Sequence, residues 1–119
     1  MSKIKIKRIY EASSNKDGYR ILVDRIWPRG VSKGKAKIDC WKKEIAPSEN
    51  LRKWFDHDPD RFWEFAKKYL IELEDKQEVL DEIARKAKKQ NVTLLYGAKD
   101  TKHNHALVLQ CVLEGRVSY

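Results

Sequence analysis

Residues 92–100, which read Val-Thr-Leu-Leu-Tyr-Gly-Ala-Lys-Asp, decide the fold. A short, mostly apolar run that ends in polar loop residues is typical of a β-strand buried on both faces, as in a parallel sheet. Helices are predicted on both sides of this strand. The helix over about 77–89 is amphipathic, and the last helix, from His103 to Leu113, contains an apolar run and is expected to end at Gly115. A strand enclosed by helices in this way indicates an α/β protein.

The N-terminal part of the chain predicts two further strands. Residues 19–26 contain the apolar run Ile-Leu-Val and are a second candidate for a buried strand, which Pro28 should end. Residues 3–10 begin with strict alternation of Lys and Ile, the period of a half-buried strand. Because helices separate the strands at 20–25 and 92–96, we expect these two to be parallel neighbours in one sheet.

Further helices are predicted in the middle of the chain. Asp39 should cap a short helix that stops near Pro47, and Ser48 should cap the next one. Asp58-Pro59 is a typical start for a longer helix, whose apolar residues recur with the helical period of 3.6. These residues are Phe62, Phe65, Ala66, Tyr69, Leu70 and Leu73. Residues 1–119 are thus predicted to form one small layered α/β domain, with a short, mostly parallel sheet flanked by helices.

The composition is that of a charged globular protein, with 37% charged and 41% hydrophobic residues. No apolar run approaches the roughly 20 residues of a membrane span. The N-terminus also lacks the apolar region of a signal peptide, so we expect a cytoplasmic protein without membrane contact. Cys40 and Cys111 are not expected to form a disulfide in that compartment. Cys111 lies in an apolar helical run and is predicted to be a small core residue.

The charge is unevenly distributed along the chain. The net charge is +8, and residues 1–43 hold 13 basic and 4 acidic residues, whereas residues 44–119 hold 13 basic and 14 acidic ones. A basic N-terminal third favours an anionic partner, either nucleic acid or a small phosphate, although a solvated surface explains it equally well. The lysine-rich loop at 31–37 is either a lid over an anion or a mobile, solvated segment.

A first polar motif follows the strand at 20–25 and reads Asp-Arg-Ile-Trp-Pro-Arg-Gly over residues 24–30. Ligands of parallel sheets bind at the carboxyl ends of the strands, where this motif is expected. Asp24 is a candidate general base, and Arg25 and Arg29 offer planar donor groups suited to phosphate or carboxylate. Trp27 is a candidate for stacking on a ligand. The alternative is a cluster of ion pairs that closes the end of the sheet.

A second polar motif follows the strand at 92–96, where a short loop leads into the last helix. Helix N-termini attract anions, and Lys99 adds a full positive charge there. His103 and His105 are candidate proton-transfer groups, while Tyr96 and Asp100 complete the candidate ligand contacts.

Alternatives remain for this second motif. Asp100 or Thr101 is equally suited to cap the helix, with the histidines in structural hydrogen bonds. In a regular helix His103 and His105 point about 200° apart, so their spacing predicts no metal site. His57 precedes Asp-Pro in a loop between helices and is interpreted as a turn residue.

The ordered set of motifs resembles the YeaO-like family, a family of bacterial and archaeal proteins of unknown function. The motifs are Asp-Arg-Ile-Trp-Pro-Arg-Gly (24–30), Trp41 with Glu-Ile-Ala-Pro-Ser (44–48), Leu-Arg-Lys-Trp-Phe (51–55) with His-Asp-Pro (57–59), and Leu-Leu-Tyr-Gly-Ala-Lys-Asp (94–100) with His-Asn-His-Ala (103–106). The resemblance extends from about Ile9 to Leu113. It implies a small single-domain α/β protein in which the two strand-end motifs belong together, and it supplies no substrate, cofactor or catalytic role.

These patterns favour a binding or enzymatic site for a small anionic ligand, phosphate- or nucleotide-like, at the strand ends. In this hypothesis Asp24 and a histidine of the second motif move protons, while the two arginines and Lys99 hold the anion. No complete catalytic or cofactor motif is present, so the sequence does not decide whether the protein is an enzyme or which cofactor it uses.

Two alternative functions use other parts of the chain. The basic residues within 1–43 favour a nucleic-acid-binding protein, in which phosphate contacts combine with aromatic stacking. The aromatic residues Trp41, Trp54 and Phe55 favour a protein interaction module, provided that they form an exposed apolar surface.

Overall fold

The computed structural model describes residues 4–117 and confirms the α/β class. Within this range, four strands form one parallel sheet with the order β1-β4-β2-β3. The strands are β1 (Ile4–Arg8), β2 (Tyr19–Leu22), β3 (Cys40–Trp41) and β4 (Val92–Tyr96). The predicted parallel pairing of the second strand with the strand at 92–96 is confirmed, since Ile21 lies opposite Leu94.

Helices connect these strands, and two predicted starts are confirmed. The helices are α1 (Lys33–Ala36), α2 (Glu49–Phe55), α3 (Phe62–Leu73), α4 (Gln77–Lys89) and α5 (His105–Val117). The side chain of Ser48 caps α2 by accepting the backbone N–H of Leu51 at 3.1 Å. Asp58 caps the 3-10 turn Pro59–Arg61, which leads directly into α3.

The two faces of the sheet are covered differently. One face packs its apolar side chains, such as Ile21 and Leu94, against α3, α4 and α5 in the main hydrophobic core. On the other face Leu22 and Leu95 pack beneath Ala36 of α1 in a smaller cluster. This thin second layer includes Trp27 and Trp41, whose rings meet edge to face with centroids 5.4 Å apart.

A buried ion cluster lies on the second face of the sheet, over the strands β1 and β2. The carboxylate of Asp17 is fully buried and lies 2.5 Å from Arg20, 3.1 Å from Lys5 and 3.2 Å from Lys7. Burial by itself raises the pKa of Asp17, but hydrogen bonds from the backbone N–H of Ser14 and from the three cations outweigh it and hold the pKa far below its ordinary value. Part of the positive charge of residues 1–43 is therefore paired with a buried carboxylate inside the fold.

The predicted helix between Asp39 and Pro47 is wrong. Residues 40–41 pair with β2 as the edge strand β3, and Asp39 accepts the backbone N–H of Arg20 at 2.9 Å instead of capping a helix. A single 3-10 turn, Lys43–Ile45, occupies the rest of the segment. The open edge of β2 thus provides backbone hydrogen-bond partners for residues 40–41, and a local helix would leave that edge unpaired.

Two predictions about the last helix are also wrong. The helix continues through Gly115 to Val117, because Gly115 keeps a helical conformation and does not form a C-terminal cap. Cys111 is exposed, since the buried side of α5 is formed by residues such as Leu109 and Leu113. The described residues include no helix with the length and apolarity that a membrane span requires.

Candidate functional site

A cavity of about 390 Å³ opens beyond the carboxyl end of β2. Its walls come from the residues after β2, from α2 and the turn that follows it, from α3, and from the segment that precedes α5. The chain has three histidines, and all of them line this cavity: His57, His103 and His105. A cavity of this size falls in the range of small-molecule sites.

The inner end of the cavity contains the pair Asp24 and His105. One carboxylate oxygen of Asp24 accepts the backbone N–H of Gly97 at 2.9 Å. The other, Oδ1, is buried, lies 3.2 Å from Nε2 of His105, and has no hydrogen bond to any residue in 4–117. The reason is that Nε2 of His105 donates to the carbonyl oxygen of Val23 at 3.1 Å, so its N–H is directed there. Neutral His105 consequently carries its lone pair on Nδ1.

A second imidazole and carboxylate pair lies in the loop before α5. Nδ1 of His103 donates to Oδ2 of Asp100 at 3.0 Å, which leaves Nε2 available. Oδ1 of Asp100 accepts the backbone N–H groups of Lys102 and His103 at 2.8 and 3.0 Å. These bonds, first of all the one from Lys102, lower the pKa of Asp100 below its ordinary value. The cap of α5 itself is Asn104, whose side-chain oxygen accepts the N–H of Leu107 at 3.0 Å.

Two arginines of the lining differ in how they are held. Arg25 donates from Nε to the carbonyl oxygen of Pro47 at 3.1 Å and from Nη2 to that of Ala46 at 3.2 Å, so it fixes the segment before α2. Nη1 of Arg25 makes no hydrogen bond to a residue in the described range. Arg52 is exposed on α2, and its side chain forms neither an ion pair nor a hydrogen bond with another residue of 4–117.

The formal charges of the cavity lining sum to zero, but more of the acidic groups than of the arginines are engaged by protein partners. Glu49 pairs with Lys53 at 3.4 Å, and the Asp24 carboxylate is bonded to a backbone N–H. The groups that keep donors or charge available are the guanidinium groups of Arg25 and Arg52 and the imidazoles. The exposed carboxylate of Asp56 opposes them at the rim.

An apolar wall completes the cavity. The rings of Phe55 and Phe65 are stacked with centroids 4.3 Å apart, and both side chains are buried. Ile26, Pro47 and Ala98 extend this wall. The site therefore combines cationic donors with a surface suited to a planar or aliphatic group.

The structure brings together four of the nine predicted site residues in this cavity: Asp24, Arg25, His103 and His105. A fifth, Asp100, reaches the cavity only through its bond to His103.

The other four predicted residues lie elsewhere. Trp27 donates to the carbonyl oxygen of Val31 at 2.7 Å and packs on the opposite face of the sheet. Arg29 is exposed outside the cavity, and Lys99 is exposed as well without lining it. Tyr96 is buried in the main core. The loop at 31–37 contributes α1 to the opposite face and does not line the cavity.

Sequence reasoning missed Arg52 and His57. Both belong to α2 and its C-terminal turn, which tertiary packing places across the end of the sheet. The His-Asp-Pro motif is the one sequence signal beside His57, but its pattern indicates a helix start at Asp58 and assigns no role to the histidine. Among the described residues, no group of three or more His, Cys, Asp or Glu side chains is placed to hold a metal ion.

The aromatic residues proposed for an interaction surface are largely covered. Phe55 is buried, and the ring of Trp54 lies under Arg61 and Lys68, at 5.3 and 5.1 Å from its centroid. Exposed apolar side chains lie on α3 instead, where Trp63 is 78% exposed, and at Tyr10 and Ile26.

Comparison with known proteins assigns the family. Residues 3–118 match a protein-family model described as the inactive DUF488-N3 subclade. The chain belongs to this family. The uncharacterized protein YeaO of Escherichia coli (strain K12) is 49% identical over 106 residues, which cover 89% of this chain and 92% of YeaO. The resemblance to YeaO-like proteins is thereby confirmed.

Two further relatives match over almost their whole length. The uncharacterized proteins Mb3100c of Mycobacterium bovis and Rv3073c of Mycobacterium tuberculosis are each 39% identical over 115 residues, which cover 97% of this chain and 97% of theirs. No solved structure is significantly similar to this chain.

Proposed function

We propose that the cavity binds a small organic anion, in which a phosphate or carboxylate group is attached to an apolar or planar part. The observation that carries this proposal is the presence of Arg52, without a partner among the described residues, in the same cavity as three imidazoles and a stacked phenylalanine wall. Guanidinium and imidazole groups are the side chains that bind such anions most effectively, because they donate charge-assisted hydrogen bonds.

The apolar wall supports an organic ligand over an inorganic ion. Ile26 is 61% exposed on this wall and Ala98 is half-buried, and a bare phosphate ion gains nothing from contact with such apolar side chains. Burial of apolar surface contributes about 25 cal/mol per Å² removed from water. A ligand that covers this wall therefore binds more tightly than its charged group does alone.

The arrangement of the histidines and the family assignment support binding without turnover. His105 and His103 each direct one ring N–H at a protein acceptor, Val23 or Asp100, which fixes the orientation of both rings. Such rings are suited to recognise a ligand, and the description of the family as an inactive subclade supports this role over catalysis.

Arg52→Ala tests the proposed function. We expect phenyl phosphate to bind the purified protein in isothermal titration calorimetry, and the substitution to weaken that binding at least about tenfold, because a charge-assisted hydrogen bond is lost. The free energy of unfolding should change little, because the side chain of Arg52 forms no ion pair or hydrogen bond with another residue of 4–117.

Arg85→Ala is the matched control, because Arg85 is also an exposed helical arginine but lies on α4, outside the lining. It should leave the affinity unchanged. The proposal is wrong if phenyl phosphate, benzoate and adenosine monophosphate all fail to bind, or if the two arginine variants bind equally well.

A further inference from the structure

The turn that follows α2 contains two consecutive residues in the left-handed region. Asp56 has φ 49° and His57 has φ 55°. Glycine or asparagine usually occupies such positions, because a Cβ atom is strained there. Strained backbone positions of this kind concentrate at binding sites, where the surrounding structure maintains them.

The imidazole of His57 is not needed to form this turn. The turn is closed by backbone hydrogen bonds from Asp56 N to Arg52 O and from Asp58 N to Phe55 O, both 3.0 Å long. The side chain of His57 is exposed, and it forms no hydrogen bond or ion pair with another residue of 4–117. Its ring is tilted against that of Phe55, with the two ring centroids 6.5 Å apart.

His57 differs in this respect from the other two imidazoles of the cavity. His103 and His105 each lie beside a carboxylate, at 3.0 and 3.2 Å, and each directs a ring N–H at the protein. Both nitrogens of His57 are therefore available to a ligand.

We infer that the strained turn holds His57 at the mouth of the cavity, five residues after Arg52, as a second contact to the anionic group of the ligand. This inference rests on the proposed function and specifies how the ligand is oriented. The half-buried carboxylate of Asp24 repels an anion at the inner end. The exposed end also has a carboxylate, that of Asp56, but it offers the free donors of Arg52 and His57. The charged group therefore lies at the exposed end, and the apolar part lies inward. The ligand class is a phosphate monoester with an apolar or aromatic ester group.

The test compares His57→Gly with Asp56→Gly, using phenyl phosphate as the probe. Both substitutions relieve the left-handed strain, so each should raise the melting temperature by about 3 °C. His57→Gly should also weaken phenyl phosphate binding about tenfold, whereas Asp56→Gly should keep the affinity within about twofold of the original or improve it. His57→Asn, which tolerates the same conformation, removes the imidazole independently and should weaken binding to the same extent.

The outcomes separate this inference from the proposed function. If Arg52→Ala weakens binding and both His57 variants bind normally, the role of His57 is wrong and the anion site stands. If His57→Gly lowers the melting temperature together with the affinity, the residue is structural and the inference is again wrong. If inorganic phosphate binds as tightly as phenyl phosphate, the orientation is wrong. If the unaltered protein binds neither probe, the site and the inference both fail.

Discussion

Asp17→Asn is expected to lower the free energy of unfolding by about 3–5 kcal/mol, because it removes one partner of a buried ion cluster. Arg20 is only 4% exposed, and its charge is compensated by the Asp17 carboxylate, which also pairs with Lys7 and with the more exposed Lys5. Asparagine retains an acceptor for the N–H of Ser14 but carries no charge. Urea unfolding followed by tryptophan fluorescence measures the loss.

Asp81→Asn provides the matched control. Asp81 also pairs with an arginine, Arg116, but its side chain is 51% exposed, and exposed pairs contribute roughly 0–1 kcal/mol. A small effect of both substitutions would contradict the structural role given to Asp17.

The carboxylate of Asp17 also makes the free energy of unfolding depend on pH in the acidic range. The folded pKa of Asp17 is lowered far below that of the unfolded chain, which is about 3.9. Its contribution is therefore complete above about pH 4 and is lost as the pH falls toward the folded pKa. Below pH 4 the urea midpoint of the unaltered protein should fall steeply, and Asp17→Asn should flatten this part of the profile.

Gly18→Ala is the second substitution with a large expected effect, and we expect it to destabilise the fold by more than about 3 kcal/mol. Gly18 has φ +67°, and a Cβ atom there would lie 2.1 Å from the carbonyl oxygen of Asn91. That oxygen accepts the backbone N–H of Tyr19 at 2.8 Å, so relief of the clash requires the start of β2 to move away from the start of β4. Chemical denaturation measures the change.

Gly30→Ala separates the clash from the conformational strain. Gly30 has φ +78°, but a Cβ atom there meets no atom within 4 Å. Its replacement should cost only about 1 kcal/mol, the strain of the left-handed conformation. Equal losses at the two glycines would show that the close approach to Asn91 does not decide the effect.

The sequence predicted those parts of the fold in which local pattern and tertiary packing agree. The mostly apolar strand at 92–96 and the amphipathic helix at 77–89 have the bounds that their sequence patterns indicate. The prediction of a short helix after Asp39 was wrong because β2 has an open edge, and Cys40 and Trp41 pair with that edge as a two-residue strand. Two residues are too few for a periodic signal.

The candidate site was predicted in part, for a similar reason. The rule that ligands bind at strand ends identified Asp24 and Arg25, which closely follow β2, and His103 and His105, which lie where the loop after β4 leads into α5. The rule does not state where a loop turns after the strand, and Lys99 lies outside the cavity although it is closer to β4 along the chain than His103 is.

The contribution of α2 was missed because it depends on contacts between distant parts of the chain. The carboxylate of Glu72 on α3 accepts the N–H and the hydroxyl of Ser48 at 2.8 and 2.6 Å, and this bond fixes the start of α2. Pairing over such a distance in sequence leaves no periodic trace. Arg52 and His57 reach the cavity only as a result of it.

The position of β4 in the middle of the sheet determines the order in which the fold can assemble. β1 and β2 are close in sequence, yet each pairs with β4 and they do not pair with one another. A growing chain cannot join its first strand to the sheet until Val92–Tyr96 has been synthesised, and until then the apolar side of β1 has no sheet partner. Contacts between such distant segments slow folding, so the apolar side of β1 stays exposed for longer than that of a strand that pairs with its neighbour in sequence.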